Sequence, residues 1–230
     1  MKIAGLQKLT LLDFPGHTAC TVFTLGCNFR CPFCHNSDIL RGSGAQLVLE
    51  SDFFDFLKTR VNKLEGVCIT GGEPLLQPDI VEFMQKIREM GFLIKLDTNG
   101  SNYEKLQYIL QNKLCDYVAM DVKNTPEKYD LSCGGMINLQ NVLSSIELIK
   151  NQTLVDYEFR TTVVKQLNEK DDFKAVAHLL KGAKRYYLQQ FKDCEKVLKG
   201  GFSAYNEQEM QEILEIVKAN GVETCLLRGI

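Results

Sequence analysis

The sequence predicts an α/β domain in which parallel strands alternate with helices. Short β-rich runs are each followed by a helical pattern or an equivalent loop, six times along the 230 residues. No linker, low-complexity stretch or run of like charges divides the chain, so we expect one domain over residues 1–230. Parallel strands with right-handed crossovers form either an open doubly wound sheet or a complete or partial barrel. Six units are too few for a full eightfold barrel.

The strands are predicted from short runs rich in β-branched and apolar residues. The run "GVCIT" is apolar throughout, as expected for a strand buried on both faces. In chain order the predicted strands are 17–26, 66–70, 92–98, 116–123, 156–164 and 185–191. The stretch 223–229 is either a further short strand or a tail.

The helices are predicted from apolar stripes and from residues typical of helix ends. Ser51 is the predicted cap of the first long helix. The next helix starts with Pro78 and ends with Gly91, the expected asymmetry. Asn206 and Glu209 have capping-box spacing. In chain order the predicted helices are 51–66, 78–91, 101–114, 138–152, 171–182 and 206–221.

Composition excludes several classes of protein. The formal net charge of −2 gives no indication of nucleic-acid or anionic-membrane binding. No apolar run approaches the roughly 20 residues that span a bilayer, and the N-terminus does not resemble a signal peptide. We therefore expect a cytoplasmic protein without a membrane or nucleic-acid partner.

The nine cysteines are odd in number, and the chain does not fit a small secreted disulfide scaffold. They are therefore predicted to be reduced. Cys20, Cys68 and Cys115 lie in or beside apolar strands and are predicted core residues. The remaining cysteines outside the cluster described below are predicted in loops or near the tail, namely Cys133, Cys194 and Cys225.

Polar residues collect where the predicted strands end. Because unpaired polar groups are costly inside apolar strands, their presence at one end of the sheet predicts a ligand site there. In strand order these residues are the three cysteines of "LGCNFRCPFCHN" (25–36), "GGEP" (71–74), "DTNG" (97–100), "DVK" (121–123), Arg160, and Gln189 with Gln190.

The spacing of Cys27, Cys31 and Cys34 indicates a metal centre. Thiolates select zinc or iron–sulfur clusters, and structural zinc takes four ligands. His35 is poorly placed as a fourth ligand because it adjoins Cys34. Three cysteines can instead hold a cubane cluster whose fourth iron stays open to substrate. The spacing favours the cluster, with zinc and unrelated buried cysteines as alternatives; the scattered remaining cysteines predict only one cluster.

Cys27-x-x-x-Cys31-x-x-Cys34, with Phe33 before the last cysteine, resembles the radical S-adenosylmethionine (radical SAM) signature. "GGEP" after the next strand resembles that superfamily's second motif. The resemblance covers about residues 17–191. It implies a partial (β/α)6 barrel, with an N-terminal extension and a C-terminal helix packed on it. It also implies one [4Fe–4S] cluster on the three cysteines and SAM chelated to the open iron. One electron would then cleave SAM to methionine and a 5′-deoxyadenosyl radical.

The resemblance also implies roles around SAM. Gly71 and Gly72 allow close backbone approach, and with Glu73 they would contact the ammonium group. Lys123 and Arg160 would bind the carboxylate of SAM. The alternatives are that Lys123 is a surface lysine and that Arg160 belongs to an internal ion pair.

Further SAM contacts come from residues at neighbouring strand ends. Asp97 and Asp121 would repel each other unless an ammonium, ribose hydroxyls or a monovalent cation lies between them. Asn99 is either a contact or a turn residue. Gln189 or Gln190 would contact ribose or adenine.

The run "CHN" (34–36) resembles glycyl-radical-enzyme activases. The opening stretch, including "DFPG" (13–16), is similar to activating proteins of anaerobic ribonucleoside-triphosphate reductase. This implies hydrogen abstraction from a glycine of a glycyl radical enzyme, namely anaerobic ribonucleotide reductase, with flavodoxin or ferredoxin as electron donor. His35 and Asn36 also fit the pyruvate formate-lyase type. The alternatives are a small-molecule radical SAM enzyme such as 7-carboxy-7-deazaguanine synthase, and a zinc-stabilised binding module.

Overall fold

Eight strands form one sheet in which the spatial order follows the chain. The computed structural model describes residues 1–41 and 47–230. The strands are β1 (Ile3–Thr10), β2 (Ala19–Thr24), β3 (Gly66–Gly71), β4 (Leu93–Thr98), β5 (Tyr117–Asp121), β6 (Asp156–Val163), β7 (Tyr186–Gln190) and β8 (Cys225–Arg228).

Eight helices accompany these strands in the described ranges. They are α1 (Ser37–Arg41), α2 (Glu50–Lys58), α3 (Ile80–Glu89), α4 (Tyr103–Gln111), α5 (Tyr129–Cys133), α6 (Leu139–Asn151), α7 (Asp172–Leu179) and α8 (Glu207–Ala219). None of the described helices has the length and apolar character needed to cross a membrane.

Strands β2 to β8 run parallel, and this confirms the predicted α/β class. The sheet also curls. Ala19 on β2 packs in one inner cluster with Tyr117 and Ala119 on β5, although two strands separate β2 from β5. Phe14 joins this cluster and closes the N-terminal end of the curled sheet. The architecture is therefore the expected partial barrel.

The sequence prediction lacked the strand at one edge of the sheet and left the strand at the other edge undecided. The N-terminal extension contributes β1, which pairs antiparallel with β2 and adds an edge strand. The uncertain stretch at 223–229 contains β8, which pairs parallel with β7. The barrel thus carries one extra strand on each side of the six predicted units.

Helix bounds follow the capping chemistry with one clear error. The helix predicted at 51–66 begins at Glu50 and ends at Lys58, so Ser51 lies inside its first turn and is not the cap. The chain leaves this helix through a turn in which Asn62 has a positive φ of 62°. By contrast, the capping box of Asn206 and Glu209 is present at the start of α8.

Candidate active site

A cavity of about 270 Å³ lies at the C-terminal ends of the parallel strands, where the polar residues were expected to meet. Every predicted site residue except Glu73 lines it. These residues are Cys27, Cys31, Cys34, Gly71, Gly72, Asp97, Asn99, Asp121, Lys123, Arg160 and Gln189.

Residues 25–36, the cysteine loop, connect β2 to α1 and bring three thiols to one wall of the cavity. The sulfur of Cys27 accepts hydrogen bonds from the Phe29 backbone N–H at 3.3 Å and from Asn99 Nδ2 at 3.8 Å. Burial raises the pKa of the Cys27 thiol to about 11. Hydrogen-bond donors aimed at a sulfur suit a thiolate ligand, whose charge they stabilise.

Helix α5 packs against the cysteine loop. The Arg30 backbone N–H donates to the Cys133 carbonyl oxygen at 2.7 Å. The Cys133 thiol forms a hydrogen bond with the Cys31 sulfur and holds the pKa of the Cys31 thiol below its ordinary range. Gly134 ends α5 with a φ of +76°, and a Cβ there would lie 2.1 Å from the Arg30 oxygen. The expectation that Cys133 lies in a loop is wrong: it is a buried helical residue in contact with a predicted cluster ligand.

The other cysteines outside the cluster are all free thiols. Cys20, Cys68 and Cys115 are buried, which confirms them as core residues. Cys225 is also buried, because its stretch forms β8 and is not a tail. Cys194 is exposed.

The segment 192–199, which follows β7, covers the other side of the cysteine loop. Its Leu198 and Lys199 N–H groups donate to the carbonyl oxygens of Cys34 at 3.1 Å and Pro32 at 2.9 Å. The His35 ring binds the Lys192 carbonyl oxygen and stacks on Phe191. His35 therefore holds the segment 192–199 against the cysteine loop. No periodic pattern in the sequence predicts this segment, because it has no regular secondary structure.

Glu73 is held in a buried hydrogen-bond network, and its contact with the SAM ammonium stays a prediction. Its carboxylate is fully buried and accepts hydrogen bonds from Leu75 N–H (3.0 Å), Thr98 Oγ1 (2.8 Å) and Asn99 N–H (2.7 Å). Burial raises its pKa to about 7, against the opposing effect of these donors. Glu73 thus joins the end of β3 to the end of β4 and does not reach the cavity wall.

Gly71 and Gly72 are required by the close approach of two backbones. Gly71 has a φ of +117°, and a Cβ there would lie 2.3 Å from the Thr24 nitrogen. A Cβ on Gly72 would lie 1.9 Å from the Gly26 oxygen. The end of β3 is therefore packed against the cysteine loop, and its backbone forms part of the cavity wall.

Five alternating charges form a chain of ion pairs, which we call the charge ladder, and all of them except Lys95 line the cavity. Lys95 pairs with Asp97, Arg160 bridges Asp97 (3.1 Å) and Asp121 (2.9 Å), and Lys123 pairs with Asp121 (2.8 Å). Burial opposes ionisation of Asp121, but Arg160 and Lys123 outweigh it and hold the pKa of Asp121 well below its usual range. The pKa of Asp97 is lowered in the same way by Arg160 and Lys95.

The charge ladder adds two features to the sequence analysis. The guanidinium of Arg160 lies between Asp97 and Asp121, where SAM groups or a monovalent cation were expected. Lys95, only 2% exposed, was missed by sequence reasoning. A signal was present: Lys95 lies two residues before Asp97 on an apolar strand, so both side chains face the same side of the sheet.

Replacing Arg160 by alanine is expected to destabilise the fold by about 3 kcal/mol near neutral pH, the low end for breaking a buried ion pair, because Asp97 (13% exposed) and Asp121 (30% exposed) lose their shared partner. Their lowered pKa values mean that this stabilisation exists above their ordinary pKa of 3.8 and disappears as the pH falls. Urea unfolding at several pH values should therefore show a wild-type advantage that shrinks in acid. Arg160→Lys, which keeps a charge, should lose less. An equal loss in both variants would contradict the bridging role.

The structure also separates the two glutamines at the end of β7. Gln189 lines the cavity, whereas Gln190 donates to the Tyr205 carbonyl oxygen at 2.8 Å.

In the described ranges, no three His, Cys, Asp or Glu side chains are grouped to hold a single metal ion. Three thiols on one wall are compatible with a cluster, in which each thiolate binds a different iron.

Comparisons with known proteins agree with this site. Residues 21–180 match the model of the radical SAM superfamily. A "putative glycyl-radical enzyme activating enzyme" of Methanocaldococcus jannaschii is 33% identical over 99% of this chain and 96% of its own length. The pyruvate formate-lyase-activating enzyme of Clostridium pasteurianum is 27% identical, over 78% of this chain and 76% of its own.

Solved structures extend the likeness of the fold. Streptococcus suis SuiB bound to S-adenosylmethionine superposes with a TM-score of 0.67 at 14% identity, over 89% of this chain and 48% of SuiB. At that identity the likeness concerns the fold alone. The family match, the near full-length relative and the three-cysteine cavity lead to one conclusion: the chain belongs to the radical SAM superfamily of enzymes.

Proposed function

We propose that the protein activates a glycyl radical enzyme by abstracting a hydrogen from one glycine of that partner. The observation that carries the proposal is the 33% identity to a relative named for this activity, which extends over nearly the whole of both chains. The cysteine loop and the cavity lie within the matched region, so the likeness includes the residues that would perform the chemistry.

The residues at the cavity fit a [4Fe–4S] cluster with SAM. Three thiols share one wall, and the Cys27 sulfur already receives two N–H donors. Bound there, the cluster would supply the electron that cleaves SAM to methionine and a 5′-deoxyadenosyl radical. The backbone at Gly71 and Gly72 would border SAM closely, since neither position has room for a side chain.

The charge ladder would orient SAM by charge. Lys123 lies on the cavity wall and supplies a positive charge for a carboxylate, while Asp97 and Asp121 supply negative charge for an ammonium or for ribose hydroxyls. Asn99 and Gln189 add amide groups to the same wall. The monovalent cation expected near Asp97 and Asp121 stays a prediction. Arg160 and Lys123 already compensate the negative charge of these carboxylates.

A second cavity supports access by a peptide segment. It measures about 380 Å³ and is lined by Leu12 from the β1–β2 connection and Arg228 from β8. It shares Asp97, Arg160 and Gln189 with the first cavity. A glycine-bearing loop entering between the two edges of the sheet would therefore approach the charge ladder.

The partner that we propose is anaerobic ribonucleoside-triphosphate reductase, because the opening stretch up to the cysteine loop resembles its activating proteins. Pyruvate formate-lyase is the second candidate, supported by the Clostridium pasteurianum relative. A flavodoxin or ferredoxin donor and a cytoplasmic location belong to the same proposal.

The test is to mix the anaerobically reconstituted enzyme, a reductant and SAM with each candidate partner. We expect a glycyl radical signal by electron paramagnetic resonance (EPR) with the reductase. The same reductase with its radical glycine changed to alanine should give none. A signal with pyruvate formate-lyase alone would change the partner. Silence with every glycyl radical enzyme, together with turnover of a small purine precursor, would instead favour a small-molecule enzyme of the 7-carboxy-7-deazaguanine synthase kind.

A further inference from the structure

We propose that Asn99 is a positioning residue for the cluster: it donates a hydrogen bond to the ligand Cys27 and so raises the reduction potential of the bound cluster. This inference rests on the cluster assignment of the proposed function and adds to it. Asn99 was expected either to contact SAM or to serve a turn. The geometry points to a role that exists before SAM binds.

The orientation of the Asn99 amide is fixed by its neighbours. Its Oδ1 accepts the Ser101 backbone N–H at 2.9 Å, which turns Nδ2 toward the cysteine loop. There Nδ2 lies 3.8 Å from the Cys27 sulfur and 3.0 Å from Asn28 Oδ1. The amide has two N–H groups, so one can serve Asn28 while the other is directed at the sulfur.

The backbone of Asn99 is also held in place by hydrogen bonds. Glu73 accepts the Asn99 backbone N–H at 2.7 Å and is itself fully buried. Asn28 donates to Ser101 Oγ at 2.8 Å and so closes the network on its outer side. Asn99 is only 7% exposed. These contacts, all within the protein, place the Nδ2 donor beside Cys27 without any contribution from SAM.

A donor at this place has a predictable electrostatic effect. Reduction of the cluster by one electron adds negative charge, part of which resides on the cysteine sulfurs. Hydrogen bonds to those sulfurs stabilise the reduced form more than the oxidised form and therefore raise the potential. Cys27 receives such donors from Phe29 and Asn99. Only the Asn99 donor belongs to a side chain and can be removed by substitution.

The experiment is an EPR-monitored redox titration of the anaerobically reconstituted full-length enzyme without SAM. Asn99→Ala removes the donor, and we expect a more negative midpoint potential at unchanged iron and sulfide content. Asn99→Asp keeps the shape but places a carboxylate beside the sulfur, so its shift should be larger. Asn141→Ala is the matched control: Asn141 donates to the Ser101 carbonyl oxygen at 3.0 Å but does not contact the sulfur. Its potential should equal that of the wild type.

A wild-type potential in Asn99→Ala would overturn the proposal, because a residue that serves only SAM or the turn would not move a SAM-free potential. If Asn99→Ala takes up no cluster, Asn99→Asp decides by the same criterion. Failure of the wild-type chain to assemble any cluster would overturn the proposed function itself. Iron and sulfide analysis before the titration distinguishes that outcome from failure of this inference.

Discussion

Replacing Cys31 by alanine is expected to lower reductive cleavage of SAM by more than about 100-fold, beyond the loss that follows removal of an outer hydrogen-bond partner from a metal site. Cys31 lines the cavity and lies against Cys133, and its removal deletes one of the three thiols that we propose as cluster ligands. The measurement is 5′-deoxyadenosine formed under reducing conditions, together with iron content.

The matched control for this prediction is Cys194→Ala. Cys194 is exposed and does not line the cavity, so its variant should retain wild-type cleavage and iron. Wild-type formation of 5′-deoxyadenosine by the Cys31 variant would show that the three cysteines are wrongly assigned.

Replacing Gly72 by alanine is expected to displace the cysteine loop and to destabilise the fold by about 1–3 kcal/mol, the usual cost of overpacking. The added Cβ would lie 1.9 Å from the Gly26 oxygen and 2.5 Å from the Gly26 carbonyl carbon. Both are backbone atoms and cannot rotate away as a side chain can. The same movement would break the Glu73 N–H bond to the Gly26 oxygen, which measures 2.9 Å.

Denaturant unfolding and iron uptake measure both effects of the Gly72 change. Gly200→Ala serves as control, because a Cβ there meets no atom within 4 Å. If Gly72→Ala has wild-type stability and binds iron normally, then the close packing of β3 on the cysteine loop is not required for the site.

Much of the fold was readable because its signals are local. Apolar runs gave the inner strands, and end signals such as the capping box of Asn206 and Glu209 gave helix starts. The edge strand β1 was missed because most of its residues are partly buried or exposed, and such a strand lacks a continuous apolar run. Helix α5 has only five residues, too short for a periodic pattern.

The candidate site shows the same difference between features that local sequence predicts and features that depend on long-range contacts. The sequence placed Cys27, Asp97 and Arg160 at one cavity because the carboxyl ends of parallel strands meet there. It did not show that Glu73 faces inward, nor that Cys133 lies against Cys31. Both facts depend on contacts between residues far apart in the chain, which no local pattern encodes.

By itself, the sequence determined the α/β class, the family signature and which residue types border the cavity. These properties depend on the identity and spacing of neighbouring residues. Only the tertiary structure decided how the buried charges pair. It set Arg160 between Asp97 and Asp121, and it turned Glu73 toward Asn99. A buried charge takes the partner that the folded backbone brings within hydrogen-bond distance, and that distance exists only once the strands are assembled.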